Sequence, residues 1–283
     1  MSKYKVLYNP KGNNNQAEAE TKTLDTILKG SGIEYINVLE LKDVAAFVAG
    51  LSADESLVIS GGDGTLNHFI NEVDCTQIKN DIYFFSTGTG NDFLKSIGEE
   101  KGKLVKINDI IRSLPTVTVN GKEYKFINGV GFGIDGYCCE VGDRLRETSD
   151  KPINYTSIAI KGLLFHFKPV NATVTMDGKT KKYQKVWLAP TMFGGFYGGG
   201  MMPTPDQKRE NGTVSTMVYY GKGKLKSLMV FPSIFKGEHV AHTDMVEVLC
   251  GKEVSVEFDR PTALQIDGET ILGVTKYSVK APQ

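Results

Sequence analysis

The sequence predicts a two-domain α/β protein: a doubly wound parallel sheet followed by a mainly antiparallel β-sandwich domain. Three observations lead to this prediction. Strand-like and helix-like segments alternate at first, two glycine-rich turns follow strands in that region, and Asn-Gly and Asp-Gly hairpin signals mark the remainder. We place the first domain at residues 1–114 and the second at residues 115–273.

The first domain owes its prediction to alternating periodicity. Short β-branched runs alternate with segments that carry apolar residues at helical intervals. The expected strands cover residues 5–8, 33–39, 57–59 and 81–85, and the expected helices cover 16–29, 42–50, 66–73 and 93–97.

The second domain owes its prediction to hairpins at Asn120-Gly121 and Asp177-Gly178. The expected strands cover residues 116–119, 123–127, 172–176, 184–190, 213–220, 245–250, 253–258 and 263–266. The expected helices cover 136–146, 153–164 and 224–235.

Composition restricts the class of protein. The 283 residues suffice for two cores, and 33 Lys+Arg balance 33 Asp+Glu, so the charge gives no support for nucleic-acid binding. The sequence shows no apolar run of about 18 residues and no signal-peptide pattern. The four cysteines lack metal-site spacing and are expected to be free thiols. We therefore expect a cytoplasmic protein.

The glycine-rich turn Gly61-Gly62-Asp63-Gly64-Thr65 follows the apolar run Leu57-Val58-Ile59 and precedes a helix. Such a turn presents backbone N–H groups and a helix N-terminus to an anion. Asp63 would repel a phosphate unless a metal ion or a proton accompanies it, which suggests a nucleotide with Mg²⁺. A second turn over residues 86–92 also follows a strand. The alternative is that both are structural turns, in which Gly, Asp and Asn are common, and that neither binds a ligand.

The two turns, SGGDGTLNHFINEV and STGTGNDF, resemble the catalytic domain of the diacylglycerol kinase-like lipid kinases, a family that includes sphingosine, ceramide and bacterial soluble lipid kinases. Further segments match in family order over nearly the whole chain: Asn9-Pro10 with Gly12, residues 126–135, Gly198–Met201, and Asp267-Gly268-Glu269. The turn GGDGT alone would also fit NAD kinases and phosphofructokinases.

The resemblance implies ATP and Mg²⁺ as cofactors and a lipid hydroxyl as acceptor, by default that of diacylglycerol, giving phosphatidic acid for phospholipid biosynthesis. Asp63 would act through Mg²⁺, and Glu269 would be the general base. The tail, residues 274–283, is expected to pack on the first domain. The implied nucleotide-binding residues are Asn9, Pro10, Lys11, Gly12, Gly61, Gly62, Asp63, Gly64, Thr65, Asn67, Gly88, Thr89 and Asn91.

One departure concerns a second metal. Some bacterial members hold a structural Mg²⁺ near the base through an Asp, where this chain has Asn211. Asn211 offers one neutral oxygen, whereas Mg²⁺ prefers carboxylate and water. Glu210 or the carbonyl groups of Lys208 and Thr213 would have to complete such a site.

The lipid side is less specific. Residues 193–202 combine aromatic, Met and Gly residues and either line an acyl groove or pack in the core. Lys222, Lys224 and Lys226 precede the apolar stretch 228–235, which is typical of transient peripheral contact with an anionic membrane or of a solvated turn. Exposed sheet edges lead us to expect a homodimer.

Two other functions stay open at this point. The turn GGDGT also permits a kinase for a soluble acceptor such as NAD. Because Asn211 replaces a metal-binding Asp of the family, a non-catalytic sensor of nucleotide or lipid is the other hypothesis. Among lipids, the sequence does not choose between diacylglycerol, sphingoid bases and ceramide.

Overall fold

The structure, a computed structural model, describes residues 3–12, 16–148 and 153–282. The chain divides into two compact units, Met1–Leu114 and Pro115–Gln283. Each unit has apolar clusters of its own. Val6, Leu24 and Val58 are buried in the first unit, and Trp187 and Met217 are buried in the second.

The first unit contains a five-stranded sheet in the order β2-β1-β3-β4-β5. Strands β2, β1, β3 and β4 run parallel, and β5 is antiparallel to β4. The strands are β1 (Lys3–Tyr8), β2 (Gly32–Asn37), β3 (Glu55–Gly61), β4 (Ile82–Ser86) and β5 (Leu104–Lys106). The helices are α1 (Ala17–Thr21), α2 (Leu24–Ile27), α3 (Val44–Ala49), α4 (Asp63–Glu72), α5 (Asp92–Ser96) and α6 (Asn108–Ile111). This order confirms the predicted parallel α/β fold and places its topological switch point between β1 and β3.

Two of the differences between the first unit and the sequence prediction have a local cause. The single helix expected over residues 16–29 is two short helices, α1 and α2, and Thr23 Oγ1 at their junction donates a hydrogen bond to the Glu20 carbonyl at 2.6 Å. Such side-chain bonds to the backbone compete with a continuous helix. The short antiparallel strand β5 was not predicted, because three residues are too few for a periodicity to show.

The second unit contains a ten-stranded antiparallel sheet within its described residues. Strands β13, β12, β11, β8, β14, β15, β6 and β7 are neighbours in that order, and β9 pairs with both β10 and β14. The strands are β6 (Thr116–Val119), β7 (Lys122–Lys125), β8 (Gly129–Gly133), β9 (Val170–Met176), β10 (Lys179–Val186), β11 (Leu188–Met192), β12 (Val214–Tyr219), β13 (Val246–Gly251), β14 (Glu253–Ile266) and β15 (Glu269–Lys280). The helices are α7 (Ile134–Thr148), α8 (Tyr155–Lys161) and α9 (Lys224–Val230).

Both predicted hairpins are present. Asn120 and Asp177 have φ of 49° and 47°, and the glycines that follow them have φ of 77° and 78°. Two successive residues with positive φ are the signature of the turn that joins neighbouring antiparallel strands. Asp267 and Gly268, with φ of 47° and 96°, form a third turn of this kind between β14 and β15.

Strand β14 was predicted as two strands, 253–258 and 263–266, and Pro261 lies between them. The structure has one strand whose pairing register with β15 shifts between Glu257 and Thr262. A proline has no N–H to donate, so the ladder is irregular there without ending. The first part of β14 pairs with β9, and its last residues pair with β8.

The described part of the tail, residues 274–282, belongs to the second unit, and its packing on the first domain stays a prediction. Residues 274–280 belong to β15, which pairs with β14 and β6 of the second unit. Tyr277 and Val279 are buried, and the Tyr277 hydroxyl bonds to Thr191 Oγ1 at 2.8 Å. Gln283 lies outside the described residues.

Candidate active site

The register of the first sheet brings three loops to one edge. Tyr8 of β1 pairs with Ser60 of β3, and Gly61 of β3 pairs with Ser86 of β4. Because these strands are parallel, the loops that follow them leave the sheet at its carboxyl edge. Ligands bind at this edge of open α/β sheets, and the β1–β3 switch point lies within it.

The turns after β3 and β4 approach each other closely through glycine. A Cβ atom added to Gly88 would lie 2.6 Å from the Gly62 Cα, and one added to Gly61 would lie 2.3 Å from Thr65 Oγ1. Thr87 N donates a hydrogen bond to the Gly61 carbonyl at 3.0 Å. Glycine is therefore required at position 88 by the approach of the two backbones, and at position 61 by the Thr65 side chain that lies against it.

Gly62 occupies the N-cap position of α4 and has no side chain with which to cap it. No side chain of residue 62 therefore covers the start of this ten-residue helix, and the helix dipole favours negative charge there. Gly64 and Thr65 lie in this first turn. Asn67, one turn further along, is buried, and its carbonyl accepts a hydrogen bond from Asn71 Nδ2 at 2.9 Å.

Asp63 joins the two turns. Its Oδ2 atom accepts a hydrogen bond from the backbone N–H of Asp92 at 2.9 Å. Asn91, which precedes Asp92, has a left-handed backbone with φ of 52° and a side chain hydrogen-bonded to Ser86 Oγ. Asn91 thus holds the shape of the second turn, and Thr89 is exposed within that turn.

The loop after β1 is held by Asn9. Its Oδ1 atom accepts a hydrogen bond from Lys11 N at 3.0 Å, and its carbonyl accepts one from Gly12 N, also at 3.0 Å. Pro10 lies inside this turn, and Lys11 is exposed. The loop that carries Lys11 therefore leaves the sheet at the same edge as the other two turns.

A pocket of about 540 Å³ adjoins these loops, and sequence reasoning missed most of its lining. Its volume is within the range of small-molecule sites. Asn9 and Thr65 belong both to the pocket and to the predicted site. The segment after β2 and the outer side of α4 supply further lining residues, among them Leu39, Leu41, Lys42, Asp43, His68 and Glu72. The only available signal was that residues 38–45 also follow a parallel strand.

In the second unit, the turn before Glu269 is attached to the start of β8. Asp267 Oδ2 accepts a hydrogen bond from Ile127 N at 2.6 Å, and Oδ1 accepts from Asn128 N at 2.8 Å and Gly129 N at 2.9 Å. Glu269 begins β15 and is exposed. An accessible carboxylate is therefore carried by a hairpin whose turn is fixed by three backbone hydrogen bonds.

The residues around Asn211 do not fit the expected metal. The Asn211 side chain is exposed at the end of a short 3₁₀ turn. The carbonyl oxygens of Lys208 and Thr213 accept hydrogen bonds from Gln207 Nε2 at 3.1 and 2.8 Å. Within the described ranges, no group of three or more His, Cys, Asp and Glu side chains is arranged to hold a metal ion.

The aromatic residues of the 193–202 segment pack in the interior. Phe193 and Tyr197 are buried. Gly198, Gly199 and Gly200 have φ of 59°, 84° and 109°, so the backbone conformation itself explains the three glycines. The structure therefore favours core packing over an acyl groove lined by these two rings.

Family models match both units. The diacylglycerol kinase catalytic domain matches residues 3–120. The YegS C-terminal NAD kinase beta sandwich-like domain matches residues 128–282, which is more than half of the chain. The chain belongs to the diacylglycerol kinase-like lipid kinases. The resemblance seen in GGDGT, GTGND and the terminal DGE is thereby confirmed, and this lipid kinase is an enzyme that transfers phosphate.

Individual relatives agree with the family. The lipid kinase is 25% identical over 269 residues to the diacylglycerol kinase of Mycobacterium tuberculosis (strain ATCC 25618 / H37Rv), an alignment that covers 91% of this chain and 85% of the relative. A solved structure of a diacylglycerol kinase from Bacillus anthracis str. Sterne superposes with a TM-score of 0.64 at 16% identity. That superposition covers 100% of this chain and 94% of the other and supports the fold.

Two further expectations about the lipid kinase concern the membrane and the thiols. None of the helices in the described part of the chain is both long and apolar enough to span a bilayer. Cys75, Cys138, Cys139 and Cys250 are free thiols, as predicted.

Proposed function

We propose that this lipid kinase transfers the γ-phosphoryl group of Mg²⁺-bound ATP to the hydroxyl of diacylglycerol, giving phosphatidic acid. One observation carries the nucleotide half of the proposal: the loops after β1, β3 and β4 meet at one sheet edge, beside a pocket of about 540 Å³. The acceptor half follows from the family and from the diacylglycerol kinases among its relatives.

The phosphates would lie on the N–H groups at the N-terminus of α4, where the turn that carries Gly62 meets the turn that carries Gly88. A side chain at Gly88 would push the two turns apart, so glycine there supports a site in which the N–H groups of both turns lie close together. Lys11 and Thr89 are exposed and would contact the phosphates from the neighbouring loops. The base and ribose would occupy the pocket that Asn9 and Thr65 border.

Asp63 is suited to the metal of the nucleotide. Mg²⁺ is commonly held by one or two carboxylates together with substrate phosphates and water. Asp63 lies in the first turn of α4, where the phosphate-binding N–H groups are. When bound, Mg²⁺ supplies neutralisation of phosphate charge as the γ-phosphoryl group moves.

Glu269 would take the proton from the attacking lipid hydroxyl. An alcohol is a weak nucleophile near neutral pH, and a positioned carboxylate that accepts its proton accelerates transfer by roughly 10²–10⁴-fold. The three hydrogen bonds to Asp267 limit the movement of the turn that carries Glu269. The turn that precedes the proposed base is therefore held in place before the substrate binds.

The surface around α9 supports transient contact with a membrane. Phe165, Leu225 and Met229 are 71%, 75% and 76% exposed. Lys224 Nζ donates a hydrogen bond to the Leu164 carbonyl at 2.8 Å, which joins α9 to the segment that carries Phe165. Apolar side chains beside lysines are what an anionic lipid surface attracts. We define Phe165, Leu225 and Met229 as the α9 patch.

The deciding experiment is a kinase assay with [γ-³²P]ATP against diacylglycerol, sphingosine and ceramide in mixed micelles and NAD in solution, with products identified by mass spectrometry. We expect phosphatidic acid from diacylglycerol. Phosphorylated NAD as the main product would replace the proposal with the soluble-acceptor kinase. Tight ATP binding without any labelled product would indicate a sensor. The expected homodimer stays a prediction, which light scattering of the purified protein would test.

A further inference from the structure

The side chain of Gln207 lies in a ring of backbone carbonyl groups. It is 7% exposed, and its Nε2 atom donates hydrogen bonds to the carbonyl oxygens of Thr213 at 2.8 Å, Lys208 at 3.1 Å and Phe193 at 3.4 Å. Its Oε1 atom accepts a hydrogen bond from Ser215 Oγ at 2.6 Å. Carbonyl oxygens that converge on one point are also what a hard cation requires.

We propose that the carboxamide of Gln207 takes the place of a structural divalent cation in this chain, so that this part of the second unit folds without metal. Two of the three carbonyl groups, those of Lys208 and Thr213, are the ones that a cation at Asn211 would need. The buried amide satisfies them instead. This inference goes beyond the proposed kinase reaction and does not depend on it.

The distances favour an amide over a metal ion. Mg²⁺ binds oxygen at about 2.0–2.1 Å in near-octahedral geometry. The Lys208 and Thr213 oxygens surround a nitrogen at normal hydrogen-bond distances. An amide nitrogen carries two hydrogens, which serve the two shorter contacts, and the longer contact to Phe193 shares one of them. A cation could enter only if the Gln207 side chain left this position.

The local charge also opposes a divalent cation. Residue 211 is a neutral Asn with an exposed side chain, and the neighbouring carboxylates of Asp206 and Glu210 are exposed as well. Arg209, next to Lys208, places its guanidinium 5.0 Å from the Phe193 ring and donates a hydrogen bond to Asn128 Oδ1 at 3.2 Å. Among the described residues, the oxygen atoms around the Gln207 amide thus include no carboxylate, and the positive charge near Phe193 would disfavour a divalent cation at that end of the ring.

Ser215 explains why the amide has a single orientation. Its hydroxyl is buried on β12 and donates to Oε1, so the other end of the carboxamide, with its two N–H groups, faces the carbonyl groups. A reversed amide would place an oxygen against three carbonyl oxygens. The pair Gln207–Ser215 is therefore a matched set, in which each side chain satisfies the other's buried polar atom.

The carbonyl ring is connected to the turn that carries Glu269. Phe193 N donates to the Asn128 carbonyl at 2.9 Å, and Asn128 N donates to Asp267 Oδ1 at 2.8 Å. Gln207 thus supports the same turn that a metal near the base would support. The amide provides this connection at any metal concentration.

The first test uses nucleotide-free wild-type protein, so that Mg²⁺–ATP plays no part. After gel filtration from buffer containing MnCl₂, we expect elemental analysis to find far less than stoichiometric metal. We also expect the thermal midpoint to be the same with EDTA and with Mn²⁺. A stoichiometric divalent ion that survives gel filtration, or a clear fall of the midpoint in EDTA, would overturn the inference. Neither result would affect the kinase proposal, because neither measures phosphate transfer.

A second test attempts to convert the amide-filled carbonyl ring into a metal site. Gln207→Ala leaves three carbonyl groups without their N–H donor and should lower the thermal midpoint by on the order of 5 °C. In the double variant Gln207→Ala/Asn211→Asp, Mn²⁺ should restore part of that loss. The matched control is Asn211→Asp alone, in which Gln207 still fills the ring and Mn²⁺ should change nothing. Equal Mn²⁺ stabilisation of the single and double variants would refute the inference. Should the Gln207 variants fail to fold, the wild-type test decides alone.

Discussion

The Oδ2 atom of Asp63 accepts a hydrogen bond from the backbone N–H of Asp92 at 2.9 Å, so the first residue of α4 is joined to the first residue of α5. Asp63 therefore has two separable properties. Its Oδ2 atom holds the two glycine turns together, and its negative charge is what the proposed role toward a metal ion requires. A substitution that removes both properties at once cannot distinguish them.

Asp63→Asn and Asp63→Ala separate the two properties. The Asn variant keeps an oxygen for the Asp92 N–H and should keep the stability of the wild type, whereas the Ala variant should lose about 1–3 kcal/mol of unfolding free energy. Both should lose at least about 100-fold in phosphate transfer, because both lack the carboxylate. Urea unfolding and the lipid kinase assay measure the two effects. Full activity of Asp63→Asn would contradict the metal role.

The local chemistry of this site could be predicted from sequence, but the contact between its two turns could not. An apolar run that ends in Gly61-Gly62 and continues into helical spacing predicts a strand, a phosphate-type turn and a helix on its own. That Asp63 reaches the Asp92 N–H depends on the pairing of Gly61 with Ser86, a register between two distant strands. The apolar pattern of a single strand does not specify which residue of a distant strand lies beside it.

The same limit applies to the second unit. The hairpins at Asn120-Gly121 and Asp177-Gly178 were predictable because their turn residues adopt positive φ. Gln207 was not recognised, because its partners at Phe193 and Thr213 are backbone groups that the fold alone brings together. A polar residue in a loop-like stretch gives no signal that it will be buried.

Gly88→Ala tests the close contact of the turns. The added Cβ would lie 2.6 Å from the Gly62 Cα, a distance that the backbones must increase. We expect ATP affinity to fall by at least tenfold, since the N–H groups of both turns move. Gly90→Ala is the matched control, because its Cβ would lie 4.0 Å from the nearest atom, Asp92 Oδ2. Calorimetric titration with ATP gives both affinities, and equal values for the two variants would argue against the phosphate role.

Glu269→Gln and Asp267→Ala distinguish the proposed proton transfer by Glu269 from the structural role of the turn that precedes it. Glu269→Gln should lower kcat by roughly 10²–10⁴-fold with little change in thermal midpoint, because only the proton acceptor is lost. Asp267→Ala leaves three N–H groups without their acceptor and should lower the midpoint as well as the activity. Glu253→Gln, at an exposed strand start, is the control for loss of a carboxylate. A Glu269→Gln enzyme with wild-type kcat would exclude the general-base role.

The α9 patch predicts a dependence on vesicles. Leu225→Ser and Met229→Ser should weaken sedimentation with anionic vesicles and raise the KM for vesicle-borne diacylglycerol, because less apolar area enters the lipid surface. Activity on a short-chain, water-soluble diacylglycerol should stay unchanged. Ile27→Ser, at a 45% exposed apolar residue of the first unit, serves as the control. If the double variant Leu225→Ser/Met229→Ser bound vesicles as strongly as the wild type, membrane contact would occur elsewhere.

The buried carboxyl of Asp135 predicts a pH dependence of stability. Asp135 is the second residue of α7, its Oδ1 accepts a hydrogen bond from Gly136 N at 2.8 Å, and burial raises the pKa of its carboxyl to about 6. Between the unfolded pKa of 3.8 and about 6, the folded chain keeps a proton that the unfolded chain releases. The stability contributed by this proton is therefore present at low pH and is lost as the pH rises through about 6.

Wild-type protein should accordingly lose more stability than Asp135→Asn as the pH rises from below the unfolded pKa of 3.8 to neutral. The difference between the two profiles should be on the order of 3 kcal/mol, because each unit of pKa shift corresponds to about 1.4 kcal/mol. Urea unfolding of both proteins across that range measures it, and the fully exposed Asp109→Asn variant should follow the wild-type profile. Parallel profiles for wild type and Asp135→Asn would show that the Asp135 carboxyl titrates alike in the folded and unfolded chain.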